Sequence, residues 1–303
     1  MRLAIPNWMV VPTFFKDGMG SEGGTKQGRI IAKSAAQPQT WPPAVKACMR
    51  SRFPEGVLLM MDLSQVELRT AALLSGDQGM IAEYQKAKPD LHGDMAVRIF
   101  GAEVRNNPHF DTGDGATDPR QWAKQVNFLV LFRGGWRKLQ HTIMNECGVL
   151  LPDVTCQGIV DSMPKQRAGL WAWQEQLIAT AKRLGRLDLP FVGQSRWFMG
   201  GEDWEVNEIV NFPVQTTAGN TLLRIQARIC ELLPPLNHPD PGILMFHNIY
   251  DSVWFDCKSR EKAAECRQIV EDAVQYVATR EYWAWLQEMS GNQVPLGFNV
   301  KEY

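Results

Sequence analysis

Val57-Leu58-Leu59-Met60-Met61-Asp62-Leu63-Ser64-Gln65-Val66-Glu67-Leu68-Arg69 is the stretch that decides how this chain reads. It opens with an apolar run, Val57 to Met61, of the length and character of a buried strand. The run ends at Asp62. Ser64 and Glu67 then stand at the spacing of a capping box, which predicts a helix from there to about Leu74, stopping near Ser75-Gly76. A carboxylate at such a junction has two readings. It is either a helix-entry residue or a metal ligand at the end of a strand.

Working downstream, residues 77 to 115 read as helix followed by loop, ending in a Gly/Asp-rich linker. Asp118 can cap a helix whose first position is Pro119, where proline is tolerated. That helix is expected to reach Phe132 and break at Gly134-Gly135. Helical segments follow from Trp136 to Leu184, interrupted near Pro152, and residues 186 to 206 read as extended pieces and turns. A helix is expected over Gln215 to Leu232. Ile243 to Ile249 and Val253 to Cys257 flank a tight turn, the pattern of a hairpin. Glu261 to Glu288 reads as one long amphipathic helix. Upstream, residues 1 to 56 look irregular. The order of strand, many helices, hairpin and helix predicts an α+β protein with a helical insertion in a small sheet.

Composition sets the outer limits. With 303 residues, 45% of them hydrophobic and 21% charged, the chain has material for one or two domains with a real core. No apolar run is long enough to span a bilayer, and no secretory signal is visible, so a cytosolic protein without membrane association is expected. The six cysteines are scattered with no C-x-x-C pair, which argues for free thiols rather than zinc or a disulfide framework. Net charge is −1, yet Gly23 to Pro54 holds six basic residues and no acidic one: Lys26, Arg29, Lys33, Lys46, Arg50 and Arg52. Such a segment suits a phosphate backbone, or is a solvated loop.

Three features carry chemistry. Asp62 ends the first strand. Asp251 sits at the hairpin tip, as a turn residue or as a second carboxylate. If the hairpin pairs beside the Val57 strand, the two converge, and two close carboxylates favour a cation between them. On the helix from Pro119, Arg120, Lys124 and Phe128 recur every four residues and share one face. Arg120 falls in the first turn, where a cation opposes the helix dipole unless an anion binds there. The alternative is a solvated charged face with Phe128 in the core. Together these parts fit nucleotidyl transfer, which needs metals about 4 Å apart on the reacting oxygens and cations on the triphosphate.

Asp62-Leu63-Ser64-Gln65-Val66-Glu67-Leu68-Arg69 resembles motif A of family A (Pol I-like) DNA polymerases, D-Y-S-Q-I-E-L-R. Asp90-Leu91-His92 resembles the family's D-I-H. Arg120-x-x-x-Lys124-x-x-Asn127-Phe128 resembles motif B on the O helix, Asn211-Phe212-Pro213-Val214-Gln215 resembles N-x-P-x-Q, and Ile249-Tyr250-Asp251-Ser252 sits where motif C, V-H-D-E, belongs. Thr25, Gly28-Arg29 and Pro38 to Pro42 resemble the family's region ahead of motif A, and Val294-Pro295-Leu296 its C-terminal end. The likeness covers most of residues 23 to 303.

The resemblance implies a right-hand polymerase palm, a small antiparallel sheet with helices, plus helical fingers, with thumb and exonuclease absent. The palm would take residues 1–75 and 186–303, and the fingers 76–185. Asp62, Asp251 and the Leu63 carbonyl would hold two Mg²⁺ ions. Arg120 and Lys124 would hold the triphosphate, with Lys124 protonating the leaving pyrophosphate. Phe128, Phe132, His92 and Glu67 would surround the incoming dNTP, Glu67 excluding a ribose 2′-OH. Arg29, Asn211 and Gln215 would touch primer–template DNA, beside the basic Lys26, Arg50 and Arg52. Tyr250 and Ser252 depart from motif C, Leu63 and Phe132 replace tyrosines, Leu129 and Arg133 fall where glycines are usual, and Asn207 replaces an arginine. About two dozen residues precede Thr25, too few for a helical thumb. The expectation is therefore either a fragment of a longer polymerase or a separate chain that supplies thumb and exonuclease, as in a split bacteriophage enzyme acting in the bacterial host cytoplasm. The alternatives are a single-subunit RNA polymerase and a non-polymerising DNA-binding subunit.

Overall fold

The computed structural model describes residues 43–46, 48–112, 117–198, 206–234, 238, 240–249 and 251–303. Lys26, Arg29 and Tyr250 lie outside the described residues. The chain divides into two compact units.

The first unit comprises Met1–Val66, Gln215–Leu286 and Leu296–Tyr303. After a short helical turn α1 (Pro43–Lys46) comes β1 (Val57–Leu63), the strand expected from its apolar run. The hairpin is β4 (Ile243–Ile249) and β5 (Ser252–Cys257), and β6 (Phe298–Glu302) completes an antiparallel sheet in the order β4-β5-β1-β6. All six residues of β5 are buried, as a strand covered on both faces should be. β6 is not among the expected strands. Its sequence, FNVKE, is polar and mostly exposed, the character of an edge strand, which gives no apolar signal to read.

Helix α10 (Arg260–Arg280) packs on this sheet through Ala263, Cys266, Val270, Ala273, Val274 and Val277, spaced three and four apart along one stripe. Ser259 caps it, its hydroxyl accepting from Lys262 N–H at 3.2 Å. The single long helix expected here is two. Glu281, at φ −134° and ψ −131°, leaves the helical region, and α11 (Tyr282–Ser290) follows. The break is held by Arg224, which donates to Glu281 at 2.7 Å and lies 4.8 Å over the Tyr282 ring.

The second unit comprises Glu67–Val214 and Gln287–Pro295. It is largely helical: α2 (Val66–Ser75), α3 (Gln78–Tyr84), α4 (Leu91–Phe100), α5 (Pro119–Leu131), α6 (Trp136–Cys147), α7 (Asp153–Gln166) and α8 (Ala168–Leu184). A 3-10 turn, Ala102–Asn106, follows α4. A two-stranded hairpin, β2 (Arg186–Leu189) with β3 (Gln194–Trp197), precedes α9 (Val206–Leu232). Leu187, Leu189, Phe198, Ile209, Val210 and Phe212 form a core with Ile178 and Ala181 of α8. One carboxylate caps two helices. Asp77 Oδ1 accepts from Met80 N–H at the start of α3, and Oδ2 from Leu170 N–H in the first turn of α8.

Two boundaries differ from expectation. Helix α9 begins at Val206, not Gln215, and contains Pro213 in its interior. A proline there removes one backbone donor and disfavours a helix interior, so the segment ahead of Gln215 carries a signal against the helix that it nonetheless forms. Between β1 and α2, Gln65 takes φ +55°, so the chain turns sharply from strand to helix and α2 starts at Val66. No helix among the described residues is long and apolar enough to cross a membrane.

Candidate functional site

Within the first unit, β1 and β5 run antiparallel with Asp62 opposite Ser252. Leu63 N–H donates to the carbonyl of Asp251 at 3.1 Å, and the next amide, Ser64 N–H, donates to Gly297 at 2.8 Å. The register therefore brings Asp62 and Asp251 to the same end of the sheet, as the sequence predicts for a hairpin pairing beside the Val57 strand. Both are half-buried. Ser252 turns its hydroxyl back to Ile249 O at 2.8 Å, closing the hairpin tip. Asn299 of β6 donates to the Ser64 hydroxyl at 2.8 Å and braces the corner after the two metal-ligand candidates.

The donor set here fits a hard divalent cation. Two carboxylates and main-chain carbonyls are oxygen ligands of the kind Mg²⁺ takes, and such an ion keeps several waters and substrate phosphates in its shell. Among the described residues no cluster of three or more His, Cys, Asp or Glu could hold a metal by itself. A cation at Asp62 and Asp251 would thus complete its shell from the main chain, water and substrate.

Within the second unit, α4 and α5 pack together and assemble the other group of predicted residues. Asp118 caps α5 as expected, accepting from Arg120 N–H at 2.8 Å, with Pro119 at the first helical position. The Arg120 guanidinium does find anions, and they belong to this chain. Its Nε donates to Asp90 Oδ1 at 2.9 Å, and Nη1 lies 3.1 Å from Asp111 Oδ1. Asp90 also caps α4 at Gly93 N–H, 3.0 Å, and meets Arg105 at 3.2 Å. Burial alone would raise the Asp90 carboxyl. The Gly93 amide with the Arg120 and Arg105 guanidinia outweighs it and holds the group below the usual carboxylate range.

His92 lies in the first turn of α4 and is 4% exposed. Asn127 of α5 donates through Nδ2 to Leu91 O at 3.2 Å and meets His92 Nδ1 at 3.0 Å. An amide donor at Nδ1 makes that nitrogen the acceptor, which assigns the neutral ring with its proton on Nε2. Burial first, then the charges of Arg120 and Lys124, push the imidazole down to about 3. The Phe128 ring stands 6.2 Å from His92, centroid to centroid. Lys124 is exposed on the same face of α5, and Phe132 closes the helix, its N–H donating to Phe128 O at 3.2 Å. Glu67, in the first turn of α2, is half-buried. Asn127 stands within the motif B resemblance, but its role as the orienter of His92 has no sequence signal. The two residues are distant in the chain and meet only through the packing of α4 on α5.

Asn211 and Gln215 fall four residues apart on α9 and so share a helical face. The Asn211 Oδ1 is buried and has no hydrogen-bond partner among the described residues. Arg50 donates to Met49 O at 2.8 Å and is exposed. Arg52, expected as a phosphate contact, is pinned to Asp256 by its main-chain N–H at 3.1 Å and its Nε at 3.2 Å, with 57% of the side chain exposed.

A small antiparallel sheet thus ends in two carboxylates, and a helical unit carries a cationic helix face. Residues 36–301 match the family described as DNA polymerase family A, and the chain belongs to that family. It is similar to the thermostable DNA polymerase I of Thermus aquaticus, with 27% identity over 237 residues, 74% of this chain and 25% of that protein. It is also similar to the DNA polymerase of Mycobacterium phage D29, with 28% identity over 184 residues, 59% of this chain and 26% of that protein. The chain thus spans about a quarter of the length of these curated relatives. Among solved structures, the POL domain of Pol1 from M. smegmatis, in complex with DNA primer-template and dNTP, shares the fold. Its TM-score is 0.67 at 16% identity, covering 91% of this chain and 45% of that one.

Proposed function

We propose that this chain is the catalytic portion of a template-directed DNA polymerase that adds dNTPs to a primer 3′-OH and releases pyrophosphate. The observation that carries this reading is the ladder register that sets Asp62 opposite Ser252, next to Asp251. Carboxylates at one end of a sheet, in a family A polymerase, are what two-metal nucleotidyl transfer requires. Asp62, Asp251 and the Leu63 carbonyl are assigned the two Mg²⁺ ions. Those ions, when bound, supply the charge that activates the attacking oxygen and stabilises the leaving one.

The remaining roles belong to side chains. Arg120 and Lys124 bind the triphosphate, and Lys124 delivers the proton to the leaving pyrophosphate. For Arg120 this requires exchanging Asp90 and Asp111 for phosphate oxygens, an exchange between anions of like geometry. Neutral His92 offers its Nε2 proton as a fixed donor beside that group. Phe128 and Phe132 pack against the incoming nucleotide, and Glu67 fills the space of a ribose 2′-OH. Asn211, Gln215, Lys26, Arg29, Arg50 and Arg52 contact primer–template DNA. Residues 1–75 and 186–303 act as palm, and residues 76–185 as fingers.

Primer extension by the purified chain with Mg²⁺, comparing dNTPs with NTPs, tests this reading. Templated extension with dNTPs alone supports it. Extension with NTPs alone would mark an RNA polymerase. Salt-sensitive DNA binding with no Mg²⁺-dependent extension, in the presence of the native co-purifying partner, would reduce the chain to a binding subunit.

A further inference from the structure

The carboxyl end of α5 is fastened in an unusual way. Arg133 follows the helix in the left-handed region, at φ +54°, a conformation that favours glycine and costs any residue with a Cβ. Its side chain is 10% exposed and makes four contacts at once. Nε donates to Gln174 Oε1 at 2.5 Å, Nη1 to Glu175 at 2.7 Å and Nη2 to Trp171 O at 3.0 Å. The guanidinium lies 3.3 Å from the Trp171 ring centroid.

The last carbonyls of a helix lack intrahelical donors. Here two side-chain amides supply them. Gln174 donates through Nε2 to Leu131 O at 2.9 Å, while Arg133 occupies its Oε1 and so fixes which way the amide faces. Asn207 stands with both Phe132 O and Arg133 O beside its amide, which orients Nδ2 toward them at 2.8 and 3.0 Å. Three successive carbonyls, from Leu131 to Arg133, are thereby tied to α8 and α9. The Arg133 and Asn207 departures from the family pattern meet in one place.

We propose that Arg133 is a positioning residue for nucleotide binding, acting with Gln174 and Asn207 to lock the last turn of α5 and hence the rings of Phe128 and Phe132. This rests on the polymerase reading above. The lock replaces glycine's backbone freedom with side-chain bonds, so the turn is held from outside the helix rather than by its own backbone preference.

The test compares wild type with Arg133→Lys, which keeps the charge but not the fork, and Arg133→Gly, which suits the left-handed backbone but removes the side chain. Far-UV circular dichroism verifies folding. Amide hydrogen exchange over residues 126–133 and the dNTP dependence of single-nucleotide addition are then measured. The expected result in both variants is exchange faster by about tenfold or more in that segment. With it, KM for dNTP rises roughly fivefold or more while kcat stays within about twofold. Unchanged exchange overturns the lock. Faster exchange with unchanged KM overturns the positioning role and leaves a structural one. A wild-type chain that adds no nucleotide even with its native co-purifying partner present overturns the polymerase reading and the positioning role with it, while the exchange data still decide the lock.

Discussion

The main-chain amide of Leu63 donates to the carbonyl of Asp251 across 3.1 Å, joining the end of β1 to the tip of the β4–β5 hairpin. This one bond fixes where two carboxylates stand. A slip of one residue in the ladder would turn Asp62 to the opposite face of the sheet.

Replacing Asp62 or Asp251 with Asn is expected to lower nucleotide addition by about a thousandfold or more, since several kcal/mol of charge stabilisation convert at roughly tenfold per 1.36 kcal/mol. Both residues are half-buried, and Asn matches Asp in size, so thermal melting should shift little. A purified variant that still extends primers at the wild-type rate would remove that residue from the metal site.

Glu67→Ala is expected to admit ribonucleotides, raising their incorporation by roughly tenfold or more while dNTP addition persists, as opening a filled pocket weakens exclusion of a hydroxyl. A gel extension assay with mixed pools reads this directly. Unaltered discrimination would leave Glu67 as a residue of the α2 amino end only.

His92 predicts a pH dependence. Its folded-state value lies near 3, below the ordinary 6.5, so between those values the unfolded chain binds the extra proton and the native chain does not. The stability that the neutral, Asn127-bonded ring contributes is present above pH 6.5 and falls as the pH drops toward 3, by up to about 1.4 kcal/mol per unit. Urea unfolding at a series of pH values should show a shallower acid limb in His92→Gln than in wild type. Parallel limbs would mean the ring is not kept neutral.

Asp77→Ala should cost about 2–3 kcal/mol, because one carboxylate satisfies the amino ends of both α3 and α8 and its loss leaves a buried Leu170 N–H unpaired. Gly169→Ala should also destabilise. Its Cβ would come 2.7 Å from the Asp77 Cα, and backbone overpacking of about 1–3 kcal/mol exceeds the roughly 1 kcal/mol gained in helix propensity. Chemical denaturation midpoints check both.

The parts of the fold that announced themselves were those with dense local signals. The apolar run into Asp62, the two apolar strands around Asp251, and the Asp118-Pro119 helix start all form where expected. What the sequence hides depends on partners far along the chain. Arg120 reads as a cation awaiting an anion, and only the packing of α4 on α5 shows Asp90 already there. The helix expected from Gln215 begins at Val206, with Pro213 inside it. Glu281 reads as one more polar position on a long helix, and the Arg224 contact that accompanies the break comes from a different element. Arg133 stands out only as an ill-fitting residue at a glycine position. Its four contacts come from α8, which no local pattern predicts.

The sheet order β4-β5-β1-β6 also has a consequence for synthesis. Both neighbours of β1 are encoded long after it, so the strand emerges from the ribosome well before β5 and earlier still than β6. Contacts of such high sequence separation form slowly. Until β5 is made, an apolar strand would wait with both edges open, a hazard for self-association. The helical unit, whose segments lie mostly between β1 and the hairpin, would be complete in its larger part before the sheet can close. A ribosome-bound chain stopped ahead of the hairpin should therefore hold folded helices and an unpaired β1.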